Sequence, residues 1–214
     1  MTALLLALLL WAPQGPLEVT MVRPPQGPTV LLHRQAGPLV ALRMSAPVEP
    51  GLPEGSAELL QELARARATL AAEQVGARLS LRREPGTAVL AVTGPASAFD
   101  ALAALLRDAV RPDLDVATLR RARARAEDRV LAELEQPGPR VERLLWHELH
   151  GASEPPRGAA AALLSPEDIR HIARRMYHPD RVRITVVGDI PQAAARSAFA
   201  GWPDAGEVAT GALR

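Results

Sequence analysis

Two glutamates one helical turn apart, Glu58 and Glu62, are the residues of this chain whose type and spacing could do chemistry. At positions i and i+4 of a helix, both carboxylates leave from one face. Converging oxygens suit a hard divalent cation such as Ca²⁺ or Mn²⁺, so the pair is a weak candidate for a carboxylate-rich metal site. The plainer reading is two surface charges on a helix that also carries Arg65 and Arg67, because clustered carboxylates without a counter-ion are costly. Gln61 stands between them. Its amide can make hydrogen bonds but cannot take a proton from water. His147 and His150, at i and i+3 in Trp146-His-Glu-Leu-His150, are a second pair that could present two imidazoles to one ion. A helix C-terminus, which favours partial positive charge, accounts for them more simply. His33, His171 and His178 fall in segments that read as structural.

Much other chemistry is excluded. The chain has no cysteine, which removes disulfides, thiolate catalysis and cysteine zinc sites. No serine sits in a G-x-S-x-G turn, and no glycine-rich phosphate loop follows a strand. A formal net charge of +1 gives no reason to expect nucleic acid, and the many arginines alternate with acids on helix faces. With 214 residues, 48% hydrophobic and 23% charged, the composition is that of one globular domain. Aromatics are only 3%, so the core must be built from Leu, Val and Ala. The apolar run Ala3 to Ala12 is too short to cross a bilayer, which takes about 20 residues. It reads as the hydrophobic region of a secretory signal, although no Lys or Arg precedes it. The expected organisation is an export segment over 1–16, a single domain over 17–202 and a flexible tail over 203–214. An exported chain, periplasmic or otherwise extracytoplasmic, is preferred to a cytoplasmic one.

The elements that must carry these residues are punctuated by Pro and Gly. Leu17 to Val22, Thr29 to Arg34 and Leu39 to Ala46 read as strands, the last alternating Val40, Leu42 and Met44 against polar neighbours. A helix rich in Ala, Leu, Glu and Arg follows from about Gly55 to Gln74. Ala77 to Arg83 and Thr87 to Thr93 form a hairpin around Glu84-Pro85-Gly86. Ser97 with Asp100 predicts a capping box opening a helix with Phe99, Leu102, Leu105, Leu106 and Val110 on one face. Asp115 caps a long helix that Pro137-Gly138 stops, and Pro139 to Gly151 is another helix. Ser165-Pro166-Glu167-Asp168 starts a helix that His178-Pro179 ends, and Arg181 to Gly188 is the last strand. This order predicts an α+β fold, a mainly antiparallel sheet with helices gathered on one face.

The ordered set resembles the N-terminal domain of the insulinase/pitrilysin zinc peptidases, the family that includes the mitochondrial processing peptidase. The resemblance rests on Leu164-Ser-Pro-Glu-Asp-Ile169, Tyr177-His-Pro-Asp180 and Val186-Val-Gly-Asp-Ile190. Gly76-Ala-Arg-Leu-Ser80, the Val89 to Gly94 strand and Val130-Leu-Ala-Glu-Leu134 precede them in the expected order, so it covers roughly Leu17 to Ile190. Family catalysis implies an inverted H-x-x-E-H motif on the first long helix: two His ligands at i and i+4, a Glu general base between them, and a third ligand from a later helix. The matching stretch here is Gly55-Ser-Ala-Glu-Leu-Leu-Gln-Glu-Leu63. It places Glu58 and Glu62 at the His positions and Gln61 at the base, so all three differ. Glu133 matches the third ligand, and Ala126 stands where many members carry another Glu. The loop and second helix that usually follow the motif are shortened, since Ala64 to Ala68 runs almost directly into Leu70 to Val75.

The resemblance therefore implies a non-catalytic homologue with no catalytic residues, no zinc and no other cofactor. Its expected partner is a catalytically competent homologous subunit, or a second copy of itself, with peptide as the substrate of the assembly. Two alternatives stand beside it: a metallopeptidase using Glu58, Glu62 and Glu133, and a stand-alone structural or binding module.

Overall fold

The computed structural model describes residues 18–49, 51–53, 55–84, 86–111, 115–135, 137–138, 141, 144–145, 148 and 164–203, with the backbone alone for 83 and 129–135. The expected export segment, the 139–151 helix with His147 and His150, and nearly all of the expected tail lie outside these residues.

Six strands, β1 (Val19–Val22), β2 (Thr29–Arg34), β3 (Leu39–Pro47), β4 (Arg78–Glu84), β5 (Thr87–Pro95) and β6 (Arg183–Gly188), form one sheet in the order β1-β2-β6-β3-β5-β4. All neighbours are antiparallel except β2 and β6, which run parallel with Leu32 opposite Val186. Alternation decides which face is covered. Val40, Leu42, Met44 and Ala46 of β3 are buried, as are Val30 and Leu32 of β2, Ile184 and Val186 of β6, and Leu90 and Val92 of β5. These merge with helical Leu59, Leu63, Leu102, Leu106, Ile169, Ile172 and Met176 into one core. Each buried side chain of this size stabilises the fold by roughly 1.5–3 kcal/mol.

The helices are α1 (Ser56–Gln74), α2 (Phe99–Ala109), α3 (Val116–Glu135), α4 (Pro166–Met176) and α5 (Gln192–Ala198), with a 3₁₀ turn at Ala96–Ala98 before α2. The chain is thus α+β, with helices over one face of a mainly antiparallel sheet.

Local chemistry sets the ends. In α4, the Ser165 hydroxyl accepts from the Asp168 amide at 3.1 Å, and the Asp168 carboxylate accepts from the Ser165 amide at 2.9 Å. This reciprocal box sits before a proline in the first turn. Asp115 caps α3 through the Thr118 amide at 2.8 Å. The expected box at Ser97 and Asp100 is not formed: α2 begins at Phe99 with Ala98 at its N-cap and no side-chain cap. Ser97 is instead absorbed in the 3₁₀ turn, whose tighter winding shifts the start of the α-helix past it. At the far end of α1, the amides of Gly76 and Ala77 reach back to the carbonyls of Glu73 and Ala72 at 3.1 and 2.8 Å. Gly76 holds φ 66°, a left-handed position that glycine adopts without penalty.

The sequence reading ended the structured helices at Met176, yet α5 and the turn after it complete the core. Phe199 is fully buried edge-on to Phe99, with ring centres 6.3 Å apart. Trp202 is buried and donates its indole N–H to the Tyr177 carbonyl at 2.9 Å. The Gly201 and Trp202 amides donate to the carbonyls of Pro25 and Gln26, which ties this end to the β1–β2 turn. Elsewhere, Glu49 receives both Arg175 and Arg181, fastening the chain after β3 to the end of α4 and the entry to β6.

Candidate functional site

Everything that positions the candidate residues follows from the place of α1. It packs against α2 and α3 and touches the sheet at β4 and β5. From Ser56 to Ala64 every side chain is buried except Glu58, which is half-buried. A helix covered on several sides cannot present a solvated charged face.

Glu62 corrects the surface reading. Its carboxylate is only 2% exposed, and Oε1 lies 3.4 Å from Nε of Arg65, three residues on along the same helix. The guanidinium is a third exposed and acts as the counter-charge that lets a carboxylate stay at this depth. The sequence did contain the signal: an acid followed at i+3 by an arginine is a helical ion-pair spacing. What it did not show was that the pair sits under α2 and α3 rather than in water.

Gln61 is 7% exposed and points toward the sheet edge. Its Nε2 donates to the backbone carbonyl of Arg82 at 2.8 Å. Arg82 lies on β4, the last strand of the sheet, so this carbonyl has no neighbouring strand to take it. An edge carbonyl that is covered but unbonded costs free energy, and the glutamine amide supplies its donor. Only an N–H at this position can make that bond, since a carboxylate would set two acceptors face to face.

Glu133 lies in α3, the helix that packs on α1. Its side chain is among those not described. Among the described residues, no three His, Asp or Glu side chains stand close enough to hold a metal ion. Two of the remaining histidines have local roles: His33 Nδ1 lies 3.0 Å from the Glu18 carbonyl, and His178 Nδ1 accepts the Asp180 amide at 3.3 Å. Tyr177 is buried between α1 and α4 beside Leu60 and Leu63. Burial pushes its hydroxyl well above the ordinary phenol range, keeping it neutral. No helix among the described residues is long and apolar enough to cross a membrane.

Comparison with known proteins places this arrangement. No family model matches the chain, and no curated protein matches it. Solved structures do. An M16 peptidase inactive domain from Pseudomonas fluorescens superposes with a TM-score of 0.73 at 17% identity, covering 86% of this chain and 50% of that one. A protease from Helicobacter pylori gives 0.74 at 12% identity, covering 92% and 53%. A putative M16-like peptidase from Alicyclobacillus acidocaldarius gives 0.70 at 12%, covering 89% and 52%. The chain spans about half the length of these structures. At such identities the likeness is one of fold, and at that level the chain has the architecture of a domain of an M16-like peptidase.

Proposed function

We propose that this chain is a non-catalytic homologue of the insulinase/pitrilysin peptidases, which pairs with a catalytically competent homologue and helps to wall its substrate chamber. The hydrogen bond from Gln61 to Arg82 carries the reading. At the position where the family's general base would stand, this chain holds an amide committed to supporting the sheet edge. The donor set does not fit a hydrolytic zinc centre: both imidazole positions are glutamates, and Glu62 already has the Arg65 guanidinium beside it. An added cation there would compete with a fixed positive charge. The likeness to a structure described as an inactive M16 peptidase domain supports the same reading. So does the chain's span of about half of each such structure, since a second domain is then needed to complete the architecture. Export through the 1–16 segment belongs to the same proposal, and the mature N-terminus, read by sequencing, tests it.

The test is metal content and peptide hydrolysis of the pure chain, alone and mixed with an intact H-x-x-E-H homologue from the same organism. Neither zinc nor hydrolysis is expected from the chain alone, and hydrolysis by the homologue is expected to rise on mixing. Stoichiometric metal with hydrolysis by the chain alone, abolished by Glu62→Ala, would reverse the reading.

A further inference from the structure

The helices cover one face of the sheet, and the other face is bare. Val19 and Met21 of β1 are 53% and 54% exposed, and Leu39 at the start of β3 is 60% exposed. Register joins them. Met21 pairs with Leu31, and Leu31 with Thr185; Val19 pairs with His33, His33 with Val187, and Val187 with Ala41. Residues directly opposite one another point to the same side of a sheet. Val19, Met21, Leu31, Val187, Ala41 and Leu39 therefore form one apolar field across four strands. Toward β4 the field turns basic, with Arg78 and Arg82 exposed, and Arg183 exposed at its lower margin. Arg43 is neutralised there by Glu84, in a bidentate pair at 2.8 and 2.9 Å.

A second exposed apolar surface lies elsewhere on the same chain. Val141, Leu144 and Leu145 are helical and 63%, 55% and 58% exposed, and Glu148, also helical, is exposed. Their spacing of i, i+3, i+4 and i+7 puts them on one helical stripe, three apolar residues followed by an acid. This stripe complements the sheet field: apolar against apolar, with the acid falling toward the basic margin. We propose that the bare sheet face binds the Val141–Leu144–Leu145 stripe of a second copy of this chain. Because each copy carries both surfaces, a twofold arrangement uses both contacts and closes as a dimer. A helix laid on a sheet is the usual way to cover such a face. The inference stands apart from the metal-site reading, since neither surface includes Glu58, Gln61 or Glu62.

Sedimentation of the full chain over a range of micromolar concentrations tests it, with circular dichroism and melting to verify that each variant folds. The wild type is expected to be a dimer. Met21→Lys on the sheet and Leu144→Lys on the stripe alter exposed positions, and each is expected to weaken the dimer about tenfold or more without changing the melt. Mixing the two variants should restore part of the association, because one wild-type contact survives in the mixed dimer. The chain lacks cysteine, so Met21→Cys mixed with Leu144→Cys should give an intermolecular disulfide on oxidation. A monomer at every concentration would overturn the proposal, even if it joined an intact homologue. So would a dimer that neither lysine variant weakens.

Discussion

The side chain of Gln61 and the backbone of Arg82 are joined by a 2.8 Å hydrogen bond between a buried helix and the outermost strand of the sheet. The bond couples two elements that are only 21 residues apart in sequence, yet it closes the corner where α1 meets β4. A functional position of the peptidase architecture has thereby become part of the scaffold.

Gln61→Glu is the direct probe of that bond. The ionised carboxylate would face the Arg82 carbonyl without a proton to offer, at a site only 7% exposed. We expect a loss of about 1–3 kcal/mol at neutral pH and no gain of peptidase activity. The pH dependence has a definite sign. Burial beside an acceptor raises the folded-state pKa of the new carboxyl above the unfolded value of about 4.3. The penalty is therefore absent below about pH 4, grows as pH rises toward the folded pKa, and is constant above it. Thermal melts of variant and wild type from pH 4 to pH 8 should diverge with increasing pH; parallel curves would argue against the bond.

Acid lability should come from the helix caps. The Ser165 hydroxyl and amide hold the Asp168 carboxyl below the usual carboxylate range, and the Thr118 contacts do the same for Asp115. A depressed folded pKa contributes stability above the unfolded value of about 3.9, and that contribution is lost as pH falls through the folded pKa. Asp168→Asn should lower the melting temperature at neutral pH, and its deficit should shrink below about pH 4. Ser165→Ala should cost about 1 kcal/mol in denaturant unfolding.

Gly27→Ala should be among the more damaging small substitutions. A Cβ at Gly27 would overlap the carbonyl oxygen of Phe199, a backbone atom that cannot swing aside. The Gly201 and Trp202 amides anchor this turn from the other side. We expect a loss of about 1–3 kcal/mol, read as a lower midpoint in denaturant with an unchanged slope. Gly37→Ala, where an added Cβ meets nothing within 4 Å, is the matched control.

Much of the fold was legible because its signals are local. Strand alternation gave β2 at its observed limits and β3 to within a residue, and the Ser165 to Asp168 cap formed as its residue types require. Ser97 misled because the same residue types serve a 3₁₀ turn, and only the tertiary fit of Phe99 against Phe199 sets where α2 begins. Helix α5 went unread although Pro191 precedes a run rich in Ala, because so short a helix carries little periodicity of its own. At the candidate site, the chemistry of Gln61 and Glu62 was readable from their types. Their burial was not, since it arises from α2 and α3 closing over a helix whose own sequence is charged.

The sheet order also fixes when this protein can finish folding. β6 lies between β2 and β3, strands that leave the ribosome some 140 residues ahead of it. Until residues 183–188 emerge, β2 and β3 have no contact with each other, and each exposes an open edge. Such an edge is a template for pairing with any other extended chain. The nascent protein therefore passes through a long interval as two unsealed halves, and closing the gap is a single late, non-local event expected to limit the folding rate. During synthesis, the greatest danger to this chain is the wrong strand arriving first in the place kept for β6.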